Sequence, residues 1–405
     1  MASNLSDFRG GLFKIGDAML CEERGESFPR GAETWLRTGV YETAATYPTA
    51  AQLDWMKVIG LSATLPSSVT VLDAISNGSN TIVAAYGDAT NVLVSTDGGA
   101  SWNAVAHNAA GAVYSVAYGA GVFVAMGNST TAFQPSTSPD GATWTVRTGS
   151  TVTTATANTP RVIFAGSQFV AVCGGTSATG QVSTSPDGIT WTARNGSQAI
   201  TAPVRIAHNG TIYLVLGGTT AAMSSTNGTS WTNRTSPLAL VGDMAANSTL
   251  FVITGPSNPT SYHTSTDAIT FTTRFLPTNA TVSQPRGFRA GTIVRYTGTY
   301  FLITSTSDGS VGGNPTLYYS ANGISNWKRR WLSAAHAVNN DAQWLVIGSG
   351  NRIIALPSAD NSAVAASTSA LYSTDFPNNA DYVGSPLIYS ASGAAGAPTM
   401  YLRVA

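Results

Sequence analysis

Ser185-Pro186-Asp187-Gly188-Ile189-Thr190-Trp191 decides how this chain is read, because the same pattern returns along its length. Upstream stand Ser95-Thr96-Asp97-Gly98-Gly99-Ala100-Ser101-Trp102 and Ser138-Pro139-Asp140-Gly141-Ala142-Thr143-Trp144. Downstream stand Ser225-Thr226-Asn227-Gly228-Thr229-Ser230-Trp231, Ser265-Thr266-Asp267-Ala268-Ile269-Thr270-Phe271 and Ser320-Ala321-Asn322-Gly323-Ile324-Ser325-Asn326-Trp327. Successive serines are 43, 47, 40, 40 and 55 residues apart. Each Asp or Asn is a short acceptor suited to the backbone N–H groups of its own turn. Gly supplies the positive φ such a turn needs, and the aromatic starts the following strand with a large area to bury. Ala268 is the costliest departure, since it puts a Cβ where glycine is favoured.

An apolar strand precedes each turn: Thr81–Ala85, Phe123–Met126, Phe169–Val172, Tyr213–Leu216, Phe251–Thr254 and Tyr300–Ile303. A seventh run, Trp344–Ile347, has two degenerate turns after it, Ser358-Ala359-Asp360-Asn361 and Ser373-Thr374-Asp375-Phe376. The first is preferred for its spacing and for the short Gly348-Ser349-Gly350-Asn351 hairpin, which brings the count to seven. Repeats of this length with two coupled features predict four short strands per unit arranged around an axis. The expected fold is therefore all-β, a seven-bladed β-propeller with a small N-terminal attachment region. Residues 1–60 are expected to attach, 61–368 to form the propeller, and 369–405 to close the last blade or form a short tail.

Composition agrees with that reading. Of 405 residues only 10% are charged, and Lys+Arg and Asp+Glu are equal at 20 each, which argues against a basic nucleic-acid surface. No apolar run approaches the roughly 18 residues of a membrane helix, and no secretory signal stands at the N-terminus. The two cysteines, Cys21 and Cys173, lie in different regions, and Cys173 reads as a small buried residue. All five glutamates (Glu22, Glu23, Glu26, Glu33 and Glu42) fall before residue 43, so a boundary is expected after them.

The repeats resemble the Asp-box (BNR) propellers of sialidases, sortilin-like receptors, xyloglucan hydrolases and photosystem assembly factors. In that resemblance Asp97, Asp140, Asp187, Asn227, Asp267 and Asn322 are the structural Asp-box positions. Gly31-Ala32-Glu33-Thr34-Trp35-Leu36-Arg37-Thr38-Gly39-Val40-Tyr41, Ala45-Thr46-Tyr47-Pro48 and the ending Met400-Tyr401-Leu402-Arg403-Val404-Ala405 resemble segments of tail-fibre and receptor-binding proteins of tailed bacteriophages. That second resemblance implies a virion protein of the phage tail that recognises a host-surface glycan or pilus-like protein. It would join other tail or baseplate proteins through residues 1–60, with a homo-oligomer, a trimer, as the expected assembly.

Enzymatic readings are weaker. The sialidase likeness implies a Tyr nucleophile activated by Glu, and the propeller segment has no Glu. Its arginine context is matched only by Pro160-Arg161-Val162-Ile163 and Pro203-Val204-Arg205-Ile206, whose recurrence suggests arginines that hold strand ends. A glycan hydrolase with an Asp pair is the alternative. Asp73, Asp88, Asp243, Asp308, Asp341, Asp375 and Asp381 are the carboxylates outside the turns, and no spacing pairs any two. The four histidines have no metal-ligand spacing, and no nucleotide fingerprint is present. No catalytic residue, metal or cofactor is expected. Binding is expected on variable loops opposite the turns: 127–137 with Phe133 and Gln134, 255–264 with Tyr262 and His263, and 305–316 with Asp308 and Asn314.

Overall fold

The fold was derived from a computed structural model. It describes residues 18–21, 34–40, 58–59, 61–109, 111–305 (except 128–134, 148–159, 176, 180, 203, 256–260 and 277–292), 316–332, 343–349, 352–358, 367–373 and 399–404. No helix is present among the described residues.

Four strands come first: β1 (Ala18–Cys21), β2 (Thr34–Val40), β3 (Val58–Ile59) and β4 (Leu61–Val69). The first regular sheet is β5 (Asp73–Ser76), β6 (Ile82–Ala85), β7 (Asn91–Ser95) and β8 (Asn103–Ala106). The next is β9 (Val113–Gly119), β10 (Val122–Gly127), β11 (Pro135–Ser138) and β12 (Thr145–Val146). Then follow β13 (Arg161–Ala165), β14 (Gln168–Val172), β15 (Val182–Ser185) and β16 (Thr192–Arg194). After them come β17 (Arg205–His208), β18 (Tyr213–Leu216), β19 (Ala221–Ser225) and β20 (Thr232–Thr235). The next four are β21 (Asp243–Ala246), β22 (Phe251–Thr254), β23 (Ser261–Ser265) and β24 (Thr272–Phe275). They are followed by β25 (Ile293–Tyr296), β26 (Phe301–Ser305), β27 (Thr316–Ser320) and β28 (Lys328–Leu332). The chain ends on β29 (Gln343–Ser349), β30 (Arg352–Ser358), β31 (Ser367–Ser373) and β32 (Thr399–Val404).

In the sheets β5–β8, β9–β12, β13–β16, β17–β20 and β21–β24 the strands are antiparallel neighbours in sequence order, and sheets pack face to face around an axis, making a β-propeller. β5, β9, β13, β17, β21, β25 and β29 are the innermost strands, each beside the next, and β29 returns to β5. Second strands are buried throughout, as in Tyr213–Leu216 and Phe251–Thr254. Outermost strands such as β8, β20 and β24 are largely exposed. The reason is that a second strand has a sheet on both faces, so it reads as a continuous apolar run, whereas an outermost strand meets water. The core lies between sheets: Val124 and Met126 of one sheet pack on Phe169, Ala171, Cys173 and Trp191 of the next.

The expectation of a seven-bladed propeller is corrected to six regular blades. Six blades are four-stranded sheets, whereas the sheet of β25–β28 has five strands, because β3 adds parallel to β28 through Trp331↔Val58 and Leu332↔Ile59. One of the six is built from both ends of the chain, with β4 as the fourth strand beside β31. Its turn assignment is corrected too. Ile353 pairs with Ser373, just as Phe169 pairs with Ser185 and Phe251 with Ser265, so Ser373 and not Ser358 occupies the repeated serine position. Trp344–Ile347, the seventh apolar run, lies in the innermost strand β29, whereas the other six runs lie in second strands. β1, β32 and β2 form a separate three-stranded sheet. β3, which precedes the boundary expected at 60, joins the β25–β28 sheet, and β31 straddles the one expected at 368.

The repeated turn has a buried serine as its hub. Ser185 is fully buried; its Oγ accepts the Gly188 amide at 2.9 Å and donates to Asp187 Oδ1 at 3.0 Å. Asp187 Oδ1 also accepts the amides of Ile189 at 2.8 Å and Thr190 at 2.9 Å. Trp191 Nε1 donates to the Gly188 carbonyl at 2.9 Å, which seats the indole under its own turn. Gly188 has φ +75°, and a Cβ there would sit 2.7 Å from Val124, so both backbone and packing require glycine. Asp97, Asp140 and Asp267 accept turn amides in the same manner. Asn227 and Asn322 do so through their amide oxygens. Ala268 takes φ +58° while its methyl is buried against Phe251 and Phe271.

Candidate binding site at the mouth of the channel

Antiparallel order places the parts of each blade on one face or the other. Turns between third and fourth strands share one face; the first residue of each innermost strand lies on the opposite face, with the connections between second and third strands. On that opposite face β5, β13, β17 and β21 begin with Asp73, Arg161, Arg205 and Asp243. Alternation along a strand directs residues i and i+2 to the axis and the one between into the core. Accordingly Ala74, Val162, Ile206, Met244 and Val294 are buried, while Asp73, Arg161, Arg205 and Arg295 are only partly covered.

Five charged side chains meet there. Arg205 Nε lies 3.2 Å from Asp243 Oδ1. Arg295 pairs with Asp243 Oδ2 through Nη1 and with Asp73 Oδ1 through Nη2 at 3.6 Å, so one guanidinium bridges two carboxylates. The carboxylates also tie neighbouring innermost strands together. Asp73 Oδ2 accepts the Ser115 hydroxyl at 2.6 Å and the Val116 amide at 3.2 Å; Asp243 Oδ2 accepts the Val294 amide at 3.1 Å. Ser115, at the equivalent place on β9, accepts the Val162 amide at 3.1 Å. These innermost strands have no sheet partner on their axial side, and a short acceptor there satisfies an edge N–H that burial would otherwise penalise.

Arg161 occupies the same register but cannot accept. It donates Nη1 to the Tyr114 carbonyl at 2.9 Å and has no carboxylate partner among the described residues. Burial, then the nearby Arg205 and Arg295, push its pKa down to about 10 against the pull of Asp73 and Asp243. Burial acts on Arg295 in the same sense, but its two carboxylates outweigh it and the net shift is upward. Three arginines against two aspartates leave the cluster with a formal charge of +1 at neutral pH.

The residues expected to bind are distributed differently. Tyr262 and His263 do not lie on a loop: both are in β23. Tyr262 is fully buried, donates to the Ile324 carbonyl at 3.1 Å and accepts Trp327 Nε1 at 2.8 Å, so it completes a neighbouring turn. His263 is 9% exposed with Nδ1 3.4 Å from the Thr273 hydroxyl, and burial lowers its pKa. The loop placement of both is corrected to a buried strand. Phe133, Gln134, Asp308 and Asn314 lie outside the described residues. Arg161 and Arg205 do recur at one blade position, as their sequence context suggested. Asp73 and Asp243, which no spacing paired, meet through Arg295.

A usable signal existed for the cluster. Arg161, Arg205 and Asp243 each stand eight residues before an aromatic at the start of the apolar run, Phe169, Tyr213 and Phe251. Counting back from the repeat would have aligned them. Their convergence needed the ring. Among the described residues no group of three or more His, Cys, Asp or Glu is placed to hold a metal ion.

Fold and site together define a β-propeller domain with a charged ring at one end of its axis. Residues 138–288 match the DUF6242 beta propeller domain. No curated protein matches the chain. Among solved structures, YCF48 bound to D1 peptide is similar with a TM-score of 0.53 and 13% identity, over 78% of this chain and 96% of that one. The WD40 beta propeller domain of Doa1 is similar at 0.52 and 14% identity, over 78% and 97%. Virginiamycin B lyase from Staphylococcus aureus is similar at 0.53 and 9%, over 77% and 98%. At such identities the likeness is one of fold.

Proposed function

We propose that this chain is a non-enzymatic recognition module, an Asp-box propeller of a phage tail that attaches to a host-surface glycan or pilus-like protein. The observation that carries the binding reading is the state of Asp73 and Asp243. Both are committed to guanidinium groups and to backbone amides of the neighbouring strand. A carboxylate held that way is a poor general acid or nucleophile, since protonating or moving it breaks several bonds at once. The same commitments make a rigid, charged rim, which suits recognition. Peptide binding by a propeller has a parallel in YCF48, whose structure carries a D1 peptide. Placement on the phage tail rests on the likeness of residues 31–48 and 400–405 to tail-fibre segments, with residues 1–60 joining the virion. The test is adsorption: fluorescently labelled protein is incubated with a panel of bacterial strains. Saturable binding to some strains, blocked by excess unlabelled protein, is expected; uniform absence of binding, or release of reducing sugar from surface polysaccharide, overturns the reading.

A further inference from the structure

Within that recognition reading, we propose that the arginines repeated along the outer wall of the propeller form a binding track for a linear acidic polysaccharide. One residue recurs three positions after each turn aromatic: Arg147 after Trp144, Arg194 after Trp191, Arg234 after Trp231, Arg274 after Phe271 and Arg330 after Trp327. Its register is the same each time. Arg194 stands opposite Val182, Arg234 opposite Ala222, Arg274 opposite Tyr262 and Arg330 opposite Leu317, each partner three residues before the serine of its turn. Arg147 donates its backbone amide at 2.9 Å to the carbonyl of Pro135, the residue at that place in its own sheet. Five consecutive sheets therefore carry an arginine at one height of the outer wall. No carboxylate opposes them there: the fourth strands β4, β8, β12, β16, β20, β24 and β28 contain no Asp or Glu, while β28 adds Lys328 and Arg329. The wall is open where it is described, with Thr192, Thr232, Asn233, Thr272 and Thr273 exposed beside the arginines.

The side chains are anchored at one end and unspent at the other. Arg147, Arg194 and Arg274 donate Nε to the hydroxyls of Thr137, Thr184 and Thr264, each ten residues earlier, at 2.8, 3.2 and 3.4 Å. Their terminal nitrogens meet no acceptor among the described residues. At Arg234 the third strand supplies Ser224 in place of Thr, and the guanidinium turns Nη1 to the Asn233 carbonyl at 3.1 Å. A guanidinium has five donors in a planar fork. A structural tie through Nε thus leaves the outer edge of the fork for an anion and lowers the ordering cost of binding one. Spacing selects the kind of polymer. Stacked sheets lie about 10 Å apart and splay outward, so neighbouring arginine positions are at least that far from one another. A nucleic-acid duplex, with a charge about every 1.7 Å, would leave most of its phosphates between arginines unmatched. A glycan with one carboxylate every second sugar is sparse enough, and the exposed Thr and Asn side chains offer hydrogen bonds to the hydroxyls between. One exposed ion pair contributes little, so affinity has to come from several contacts along one chain.

Fluorescence anisotropy of labelled hyaluronate, which carries one carboxylate per disaccharide, tests the proposal with the full chain at low salt. Saturable binding is expected, tightening from the disaccharide to the long polymer and weakening as salt is added. Unlabelled hyaluronate should compete, neutral dextran should not, and single-stranded oligothymidylate should compete more weakly. The double variant Arg194→Gln/Arg234→Gln should weaken binding about tenfold or more, since two contacts of a multivalent set are lost. Arg194→Lys/Arg234→Lys, which keeps the charge and loses the fork, should weaken it by a smaller factor. Lys14→Gln/Arg403→Gln, which removes two charges outside the track, should bind as wild type does. Melting temperatures of the track variants should stay within a few degrees of wild type, and if the Gln pair melts lower the Lys pair carries the comparison. Absence of hyaluronate binding, equal binding by wild type and the Gln pair, or an equal loss in the Lys14/Arg403 control overturns the proposal. Tighter binding of oligothymidylate than of hyaluronate also overturns it and assigns the track to nucleic acid. Adsorption to cells separates the two levels: hyaluronate binding without adsorption refutes the host-receptor reading alone, and adsorption that the Gln pair keeps in full refutes the track alone.

Discussion

Asp187 offers a test in which the chain supplies its own control. Its Oδ1 accepts three donors: the Ile189 and Thr190 amides and the Ser185 hydroxyl. Ile189 and Thr190 are exposed, so water can take over their two amides when the acceptor is removed. The Ser185 hydroxyl is buried and cannot be rescued in that way. The loss for Asp187→Ala should therefore fall in the lower part of the range for an unsatisfied buried group, about 1–2 kcal/mol. Asp187→Asn should cost less than about 0.5 kcal/mol, as surface changes that keep their contacts do. At Asn227 an amide oxygen already accepts the equivalent amides at 2.9 Å each and the Ser225 hydroxyl at 3.1 Å. The assay is urea unfolding followed by tryptophan fluorescence at pH 7, with midpoint and slope compared among wild type, Ala and Asn. Equal losses for Ala and Asn would show that charge, not the acceptor geometry, holds the turn. No loss for either would show that the turn is set by Ser185 and Gly188 alone.

Further outcomes follow from other contacts. Trp191→Ala opens a cavity beside Phe169, whose ring centroid is 6.3 Å from the indole, and should cost about 3–5 kcal/mol by thermal unfolding. Arg295→Met removes the bridge between Asp73 and Asp243 and leaves two carboxylates facing each other; a loss of about 3 kcal/mol is expected by urea unfolding at neutral pH. Burial lowers the pKa of His107, His208 and His263, so the unfolded chain takes up protons near the ordinary value of 6.5 while the folded chain resists them. Stability should be full above that pH and decline as pH falls below it; a flat unfolding midpoint between pH 7.5 and 5.5 would contradict the burial of these rings. Asp88, Asp97, Asp140, Asp187 and Asp267 have lowered pKa values, with hydrogen bonds outweighing burial, so their contribution is present above 3.8 and is lost only as pH drops below it. Two separate acid limbs are therefore expected in a plot of midpoint against pH.

The sequence by itself determined the repeat, because every repeated turn is local. Ser185, Asp187, Gly188 and Trp191 satisfy one another within seven residues, so residue identity and spacing carry the whole of that information. Continuous apolar runs such as Tyr213–Leu216 likewise announce strands covered on both faces. The loop assignment of Tyr262 and His263 failed because the polar break Pro256-Ser257-Asn258-Pro259-Thr260 ends just before them and the strand ending at Ser265 extends back to Ser261. Closure of the ring belongs to tertiary structure alone. β4 pairs with β31 some three hundred residues away, and β3 adds a fifth strand beside β28, by edge hydrogen bonds that any extended segment can make. The charged rim is decided in the same way. Asp73 and Asp243 are far apart in the chain and share no motif, yet strands that circle one axis bring both to Arg295. Coulomb attraction acts through space, and only the closed ring sets which charges are neighbours.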